Sequence, residues 1–366
     1  MTAAVSAVTR PRRRLGAIGL VIALAAAGAL MFRMPHRDQP APAGRVSATV
    51  AWPGAQRADM PGNLPDGPVF NPGYFFDART VVGTAPSPDG ASMRLVYRSG
   101  SSLRELRRLP LDGSPEFGNF TAAGDELVWT ESTNAARFQV WAVNLRDGTP
   151  ARRLTADTGN AVFYASRYDV VIAGGRVYWT AAAPNGEQAT EIRSVAVTGG
   201  AVQIRKELGV WGLSAWPWLT NGGDQASTSK MRNMVTNRDV EVNTTGAELS
   251  TCSPTWCRIL VMNDGGLVRI DLMHPDGTAR QRIAGSAASA AVGDVAVLDR
   301  FEILSETGPN SDLTGTAGLL VYDIASKRTV DISAEVSGAF SRGGVLWWST
   351  GEPDNAVWHT LDLRTV

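Results

Sequence analysis

The chain has 366 residues, 44% hydrophobic and 19% charged, which excludes a disordered protein and leaves room for one large domain or two modest ones. Its zero formal charge is unevenly spread. Arg10, Arg12, Arg13, Arg14 and Arg33 stand in the first 33 residues without an acid, so the rest holds 30 basic against 35 acidic residues, a net −5. A mildly acidic body gains nothing from counterion release on a polyphosphate, which argues against a nucleic-acid partner.

Residues 1–14 form a basic tail, and Leu15 to Phe32 is an uncharged run of 18 residues. As a helix that run spans about 27 Å, close to the hydrocarbon thickness of a bilayer. Arg12-Arg13-Arg14 directly before it keeps the tail in the cytoplasm and sends everything after Phe32 across. Residues 15–32 are therefore expected to be a transmembrane signal-anchor. Small-residue sites at Ala25-Ala26-Ala27 and Ala27-Gly28-Ala29 leave open a cleaved signal peptide and secretion. Both readings place the body outside the cytoplasm.

Residues 33–73 hold eight prolines, from Pro35 to Pro72. Proline lacks a backbone donor and fixes φ, so the segment reads as extended chain. It is either a linker holding the domain off the membrane or an arm packed across the domain surface. Val46 to Trp52 alternates somewhat and fits a strand within such an arm.

The body, residues 74–366, is written in short β-type runs separated by Gly, Asp and Asn turns. Apolar-aromatic runs recur at Leu95-Val96-Tyr97, Leu127 to Thr130 and Val177 to Thr180, more weakly at Trp216 to Thr220, Ile259 to Met262 and Phe301 to Leu304, and last at Val345 to Thr350. Most are followed by a strictly alternating run, such as Gln139 to Leu145 or Val357 to Leu363, and then by a polar one such as Arg152 to Thr155. The mean spacing is about 42 residues, the period of one four-stranded propeller blade. The expected fold is all-β, a β-propeller of seven blades with six as the alternative. One blade cannot bury both apolar faces alone, whereas blades stacked in a ring cover each other. The last copy has no outer strand of its own, so residues between Val46 and Val82 are expected to supply it and close the ring.

Ser87-Pro88-Asp89-Gly90 followed by Arg94-Leu95-Val96-Tyr97, and Val140 to Leu145 followed by Asp147-Gly148 and Arg153-Leu154-Thr155, resemble the repeats of the TolB-like, WD40-like β-propeller family. The resemblance implies the propeller fold. It implies no activity, because propellers host binding, scaffolding and catalysis alike.

Few residues offer chemistry. Cys252 and Cys257 flank a four-residue loop. Facing positions at the base of such a hairpin lie about 4.5–5.5 Å apart, within disulfide range, and export favours oxidation. The histidines His36, His274 and His359 are scattered, so no metal cluster, cofactor site or catalytic residue is assigned. Asp89, Asp147, Asp264 and Asp276 adjoin glycine and read as turn formers. Trp211, Trp216 and Trp218 are the candidate binding residues, either a ring-stacking surface or inter-blade core. Trp347-Trp348 points to both faces of its strand. The expected function is a monomeric, non-catalytic binding or scaffold module at the outer side of the cytoplasmic membrane. Its partner would be an envelope protein, a peptide or a cell-wall glycan. The alternative is a propeller-type hydrolase or lyase acting on envelope carbohydrate, which would converge ionisable side chains at one mouth of the channel.

Overall fold

Successive residues of a strand face opposite ways, so Leu127-Val128-Trp129, buried throughout, must be covered on both sides of its sheet. The computed structural model, describing residues 44–134, 136–221, 227–309, 311–352 and 355–366, meets that demand with seven small, mainly antiparallel sheets. Leu127 and Trp129 pack towards the preceding sheet and Val128 towards the next. The blades cover residues 71–110, 116–155, 160–208, 212–241, 248–285, 288–336 and 338–362, numbered 1 to 7 in that order. The protein is a seven-bladed β-propeller, and the six-blade alternative falls.

The buried apolar residues separate into seven clusters, and each lies between two consecutive blades. The cluster holding Phe75, Val81 and Val96 of blade 1 with Val345 and Trp347 of blade 7 closes the circle. Trp348 turns the other way, into the layer between blades 6 and 7. Each layer removes apolar surface from water at roughly 25 cal/mol per Å², and neither face of a blade is left bare.

Closure uses the N-terminal segment. Arg57–Pro61 pairs antiparallel with Val357–Asp362 and forms the outer strand of blade 7, as the missing fourth strand required. Upstream, Val46–Ser47 runs parallel to Val330 and Asp331 at the outer edge of blade 6. The Arg45 guanidinium there donates to both Glu306 oxygens, at 2.7 and 2.8 Å. A four-residue helix, Ala48–Ala51, lies between the two strands, and Arg57 donates to Ala48 O and Trp52 O at its end. The compact unit thus runs from Arg45 to Val366, and the boundary expected at residue 74 falls inside it. Proline content suggested a stalk because it excludes interior strands. Pro61 ends an outer strand and Pro72 lies in an innermost one, each with a single neighbour, where the missing donor costs little.

The outer strand of blade 4 is the polar Arg238–Glu241, held by Arg232 to both Asp239 oxygens. Cys252 and Cys257 face each other across their hairpin and form a disulfide. The expected tail and membrane segment, residues 1–14 and 15–32, lie outside the described residues, as does His36. Among the described residues no helix is long and apolar enough to cross a membrane.

Candidate functional site

The first strand of each blade pairs on one side only, so it carries Gly, Pro, Asn and Ser at less cost than a middle strand does. Examples are Asn71-Pro72-Gly73 in blade 1, Gly118-Asn119 in blade 2 and Gly338-Ala339 in blade 7. These strands and the segments after them enclose a cavity of 430 Å³ on the ring axis, with walls from blades 1, 2, 3, 6 and 7. Gly73 is required there. A Cβ at that position would stand 2.4 Å from the Phe120 ring of the next blade.

Four ionisable side chains gather at this channel: Arg167 and Asp169 of blade 3, Asp294 of blade 6 and Arg342 of blade 7. Arg342 ends its strand before Gly343-Gly344, a turn at positive φ in which a Gly343 Cβ would meet the Tyr74 hydroxyl at 2.6 Å. Its Nη1 donates to Phe120 O at 3.0 Å, and burial pulls its pKa down against the pull of Asp294 and Asp169. Asp294 lies with one oxygen 3.5 Å from Arg167 Nε, and burial raises its pKa despite Arg167, Arg342 and Arg258. Asp169 accepts from the backbone N–H groups of Tyr164 and Ser166, yet burial pushes its pKa up to about 6.

The segment bearing Asp294 is held from behind. Arg258 Nη2 donates to the carbonyls of Val292, Gly293 and Asp294, and its Nε donates to Glu302 at 2.5 Å. The second Glu302 oxygen accepts from Ala296 N. Glu302 is fully buried, so this pair is a fixed brace inside the protein. Asn119, Ala165, Leu298 and Asp299, all lining the channel or its mouth, hold left-handed φ between 50° and 58°. Such conformations cost energy and persist only where the surroundings impose them.

Arg167 also lines a second cavity, of 340 Å³, at the end of the ring that carries the turns between first and second strands. Trp216 and Trp218 stand there, both half-buried, with Tyr168, Pro254, Thr255 and Leu298. The Trp216 ring lies 3.8 Å from that of Tyr178. The structure thus divides the three candidate tryptophans. Trp216 and Trp218 share the mouth, while Trp211 is buried between blades 3 and 4 and donates its indole N–H to Leu208 O.

Asp89, Asp147 and Asp276 each accept the backbone N–H two residues on, as turn formers do. His274 contacts Thr255 O through Nδ1, and its ring lies tilted 4.2 Å from that of Trp256. His359 bridges Asp59 and Thr350, at 2.7 Å on each side. That chain of carboxylate, imidazole and hydroxyl was not expected from the sequence. It clamps the N-terminal strand onto blade 7, with Asp59 75% exposed at its end. Sequence reading also missed Arg167, Asp169, Asp294 and Arg342. Each sits in or beside an irregular first strand, and only the blade phase, placing those strands on the axis, would have drawn attention to them.

No protein-family model matches the chain, and no curated protein matches it. Solved structures do resemble it. An oligogalacturonate lyase in complex with manganese aligns with TM-score 0.50 at 9% identity, over 84% of this chain and 98% of that one. TolB from Acinetobacter baumannii aligns with TM-score 0.42 at 9% identity, over 69% and 63%. A prolyl endopeptidase aligns with TM-score 0.47 at 13% identity, over 93% of this chain but 52% of its own length, so the chain spans about half of that enzyme. At these identities the likeness extends to the β-propeller fold and no further.

Proposed function

We propose that the protein is a non-catalytic binding module at the outer side of the cytoplasmic membrane. It captures an envelope protein, a peptide or a cell-wall glycan at the channel mouth. The observation that carries this reading is the pair Trp216 and Trp218, half-buried beside Tyr168 in a cavity that shares Arg167 with the channel. Flat aromatic rings at the lip of a concave site bind sugar rings and peptide side chains with little loss of side-chain freedom. The apolar run 15–32 behind Arg12-Arg13-Arg14 supports export and tethering, and the Cys252–Cys257 disulfide fits an oxidising compartment.

A second reading, a hydrolase or lyase acting on envelope carbohydrate, draws support from the charges gathered at the channel and from the raised pKa values of Asp169 and Asp294. The binding reading is preferred because Asp169 is engaged by the backbone of its own loop and Asp294 by Arg167.

Photo-crosslinking in intact cells tests the proposal. A crosslinker at Thr255 or Leu298, on the mouth, is expected to trap one partner, and one at the exposed Val268, which lines neither cavity, none. The double variant Trp216→Ala, Trp218→Ala should stay folded and lose the mouth adduct. Equal trapping at all three positions, or an adduct that survives the double variant, overturns the reading.

A further inference from the structure

We propose that the ligand is an uncharged glycan strand that lies across the channel mouth and stacks on two aromatic clusters, one on each side of the axis. The inference rests on the mouth reading above and deepens it. It chooses the glycan among the partners considered there and adds a second region of contact.

The second cluster belongs to blade 1. Tyr74, Phe76 and Tyr97 are half-buried and line a cavity of 560 Å³ that blades 1 and 2 form with Arg364. The rings stand edge to face, with centroids 5.0 Å apart for Tyr74 and Phe76 and 5.9 Å apart for Phe76 and Tyr97. Their surroundings hold them. Arg364 donates to Phe76 O at 2.7 Å, while its guanidinium also donates to both Asp362 oxygens. Asp77 accepts from the N–H groups of Arg79 and Thr80, which fixes the turn after Phe76. Arg104 lies 5.5 Å from the Tyr97 centroid and donates to Leu145 O of blade 2. Rings ordered before a ligand arrives lose little entropy when it binds.

The two clusters share one end of the ring. Phe76 lies in the connection between the first and second strands of blade 1, and Trp216 lies in the same connection of blade 4. Blades 1 and 4 are three places apart in a circle of seven, so the axis runs between them. The channel cavity borders both sides. Arg167 lines it together with the Trp216 cavity, and Gly73 lines it while the next residue, Tyr74, lines the cavity of blade 1.

The chemistry of the ligand follows from the walls. Each aromatic cavity is lined by balanced charge. The blade 1 cavity sets Asp77 and Asp125 against Arg146 and Arg364, and the Trp216 cavity sets Asp299 against Arg167. Asp125 and Arg146 pair at 2.9 Å. A charged ligand of either sign meets as much repulsion as attraction there. A hydroxyl group both donates and accepts, so a sugar binds carboxylate and guanidinium groups alike, and its C–H face covers an aromatic ring. The lining consists of turns and strand ends, so a linear peptide finds no length of free strand edge to extend. Rings on both sides of the axis suit a polymer that repeats one unit, whereas a single sugar reaches one cluster only.

Calorimetric titration of the full-length protein with uncharged oligosaccharides of two lengths tests the inference. Chitohexaose is compared with chitobiose, and cellohexaose with cellobiose. At least one hexamer is expected to bind about a hundredfold more tightly than its dimer, because the second cluster is reached by a ligand already held at the first. The hexamer that binds more tightly identifies the sugar. Tyr97→Ala, and separately the double variant Trp216→Ala, Trp218→Ala, should each weaken that hexamer about tenfold, the loss of one stacking contact region. If Tyr97→Ala fails to fold, Tyr97→Leu keeps apolar bulk beside Phe76, removes the flat ring and carries the same expectation. Hexamers that bind no more tightly than dimers, or a hexamer whose affinity is unaltered in the Tyr97 variants, overturn the inference. Decaproline binding where the hexamers do not also overturns it, and puts a proline-rich peptide on the rings instead. In those cases a mouth crosslink that is lost in the tryptophan double variant leaves the mouth reading standing. If the Tyr97 variants weaken the hexamer and the tryptophan double variant does not, the mouth reading falls and the strand spanning both clusters falls with it.

Discussion

The second and third strands of each blade share a backbone geometry with the first strands but live under different constraints. A middle strand has a neighbour on each side and a blade against each face, so its residues alternate and its side chains are fully buried, as Val128, Trp129, Val177 and Trp179 are. A first strand has one neighbour and looks onto the axis. It tolerates glycine, proline and left-handed backbone, and it places charges where they meet charges from blades far away in sequence. Stability is concentrated in the inter-blade layers, while chemistry collects on the axis, where repetition is weakest.

The sharpest way to break that division is to delete the same side chain in both places. Trp179 is fully buried between blades 2 and 3 and donates its N–H to Thr158 O. Trp179→Ala should cost about 3–5 kcal/mol of unfolding free energy in a urea titration. Trp218→Ala, at the half-buried mouth, should cost less than about 2 kcal/mol. Equal losses would mean that the mouth tryptophans are core after all.

The same division explains what the sequence disclosed. The apolar-aromatic and alternating runs correspond to the second and third strands, and runs such as Arg152–Thr155 to the outer ones, because burial on two faces imposes a period of two. The partnerless last blade pointed to the N-terminal strand that closes the ring. First strands gave almost no signal, since Asn160–Ala161 and Gly212–Leu213 are two residues long and Ala288-Ser289-Ala290 has no bulky residue to alternate. For the same reason the channel charges were invisible. Arg167 and Asp294 are 127 positions apart, and only the closed ring brings them within 3.5 Å. Trp216 and Trp218 were legible as unusual composition, but their parting from Trp211 needed the fold.

A weaker effect is expected from a cross-link whose two ends already face each other. The Cys252–Cys257 disulfide closes a short hairpin in blade 5 and packs in the layer between blades 4 and 5. Replacing both by alanine should cost about 2 kcal/mol, the loop-entropy value for so short a ring. Non-reducing denaturation of the double variant measures it. A loss as large as that of Trp179→Ala would show that the hairpin needs its covalent link to hold the layer, contrary to the view that packing alone sustains it.

The remaining effect belongs to the channel and is read only as a change of slope with pH. In the unfolded chain Asp169 releases its proton near the ordinary carboxylate value of about 4. In the folded protein burial holds that proton up to about 6. Between those values the native state binds more protons than the unfolded state, so stability falls as pH rises through the window. The cost is absent below the lower value and fully present above the upper one, at roughly 3 kcal/mol. Asp294, also raised by burial, acts in the same direction. Glu306 and Glu248, held down by Arg45 and Arg280, act in the opposite one at lower pH. Asp169→Asn isolates the first contribution. The amide keeps only one carbonyl oxygen for the N–H groups of Tyr164 and Ser166, so its absolute stability drops. Its slope between about pH 4 and pH 7 should nonetheless be flatter than that of the native sequence. Parallel slopes would mean that Asp169 is ionised throughout, and the channel would then carry a full negative charge where burial argues for a retained proton.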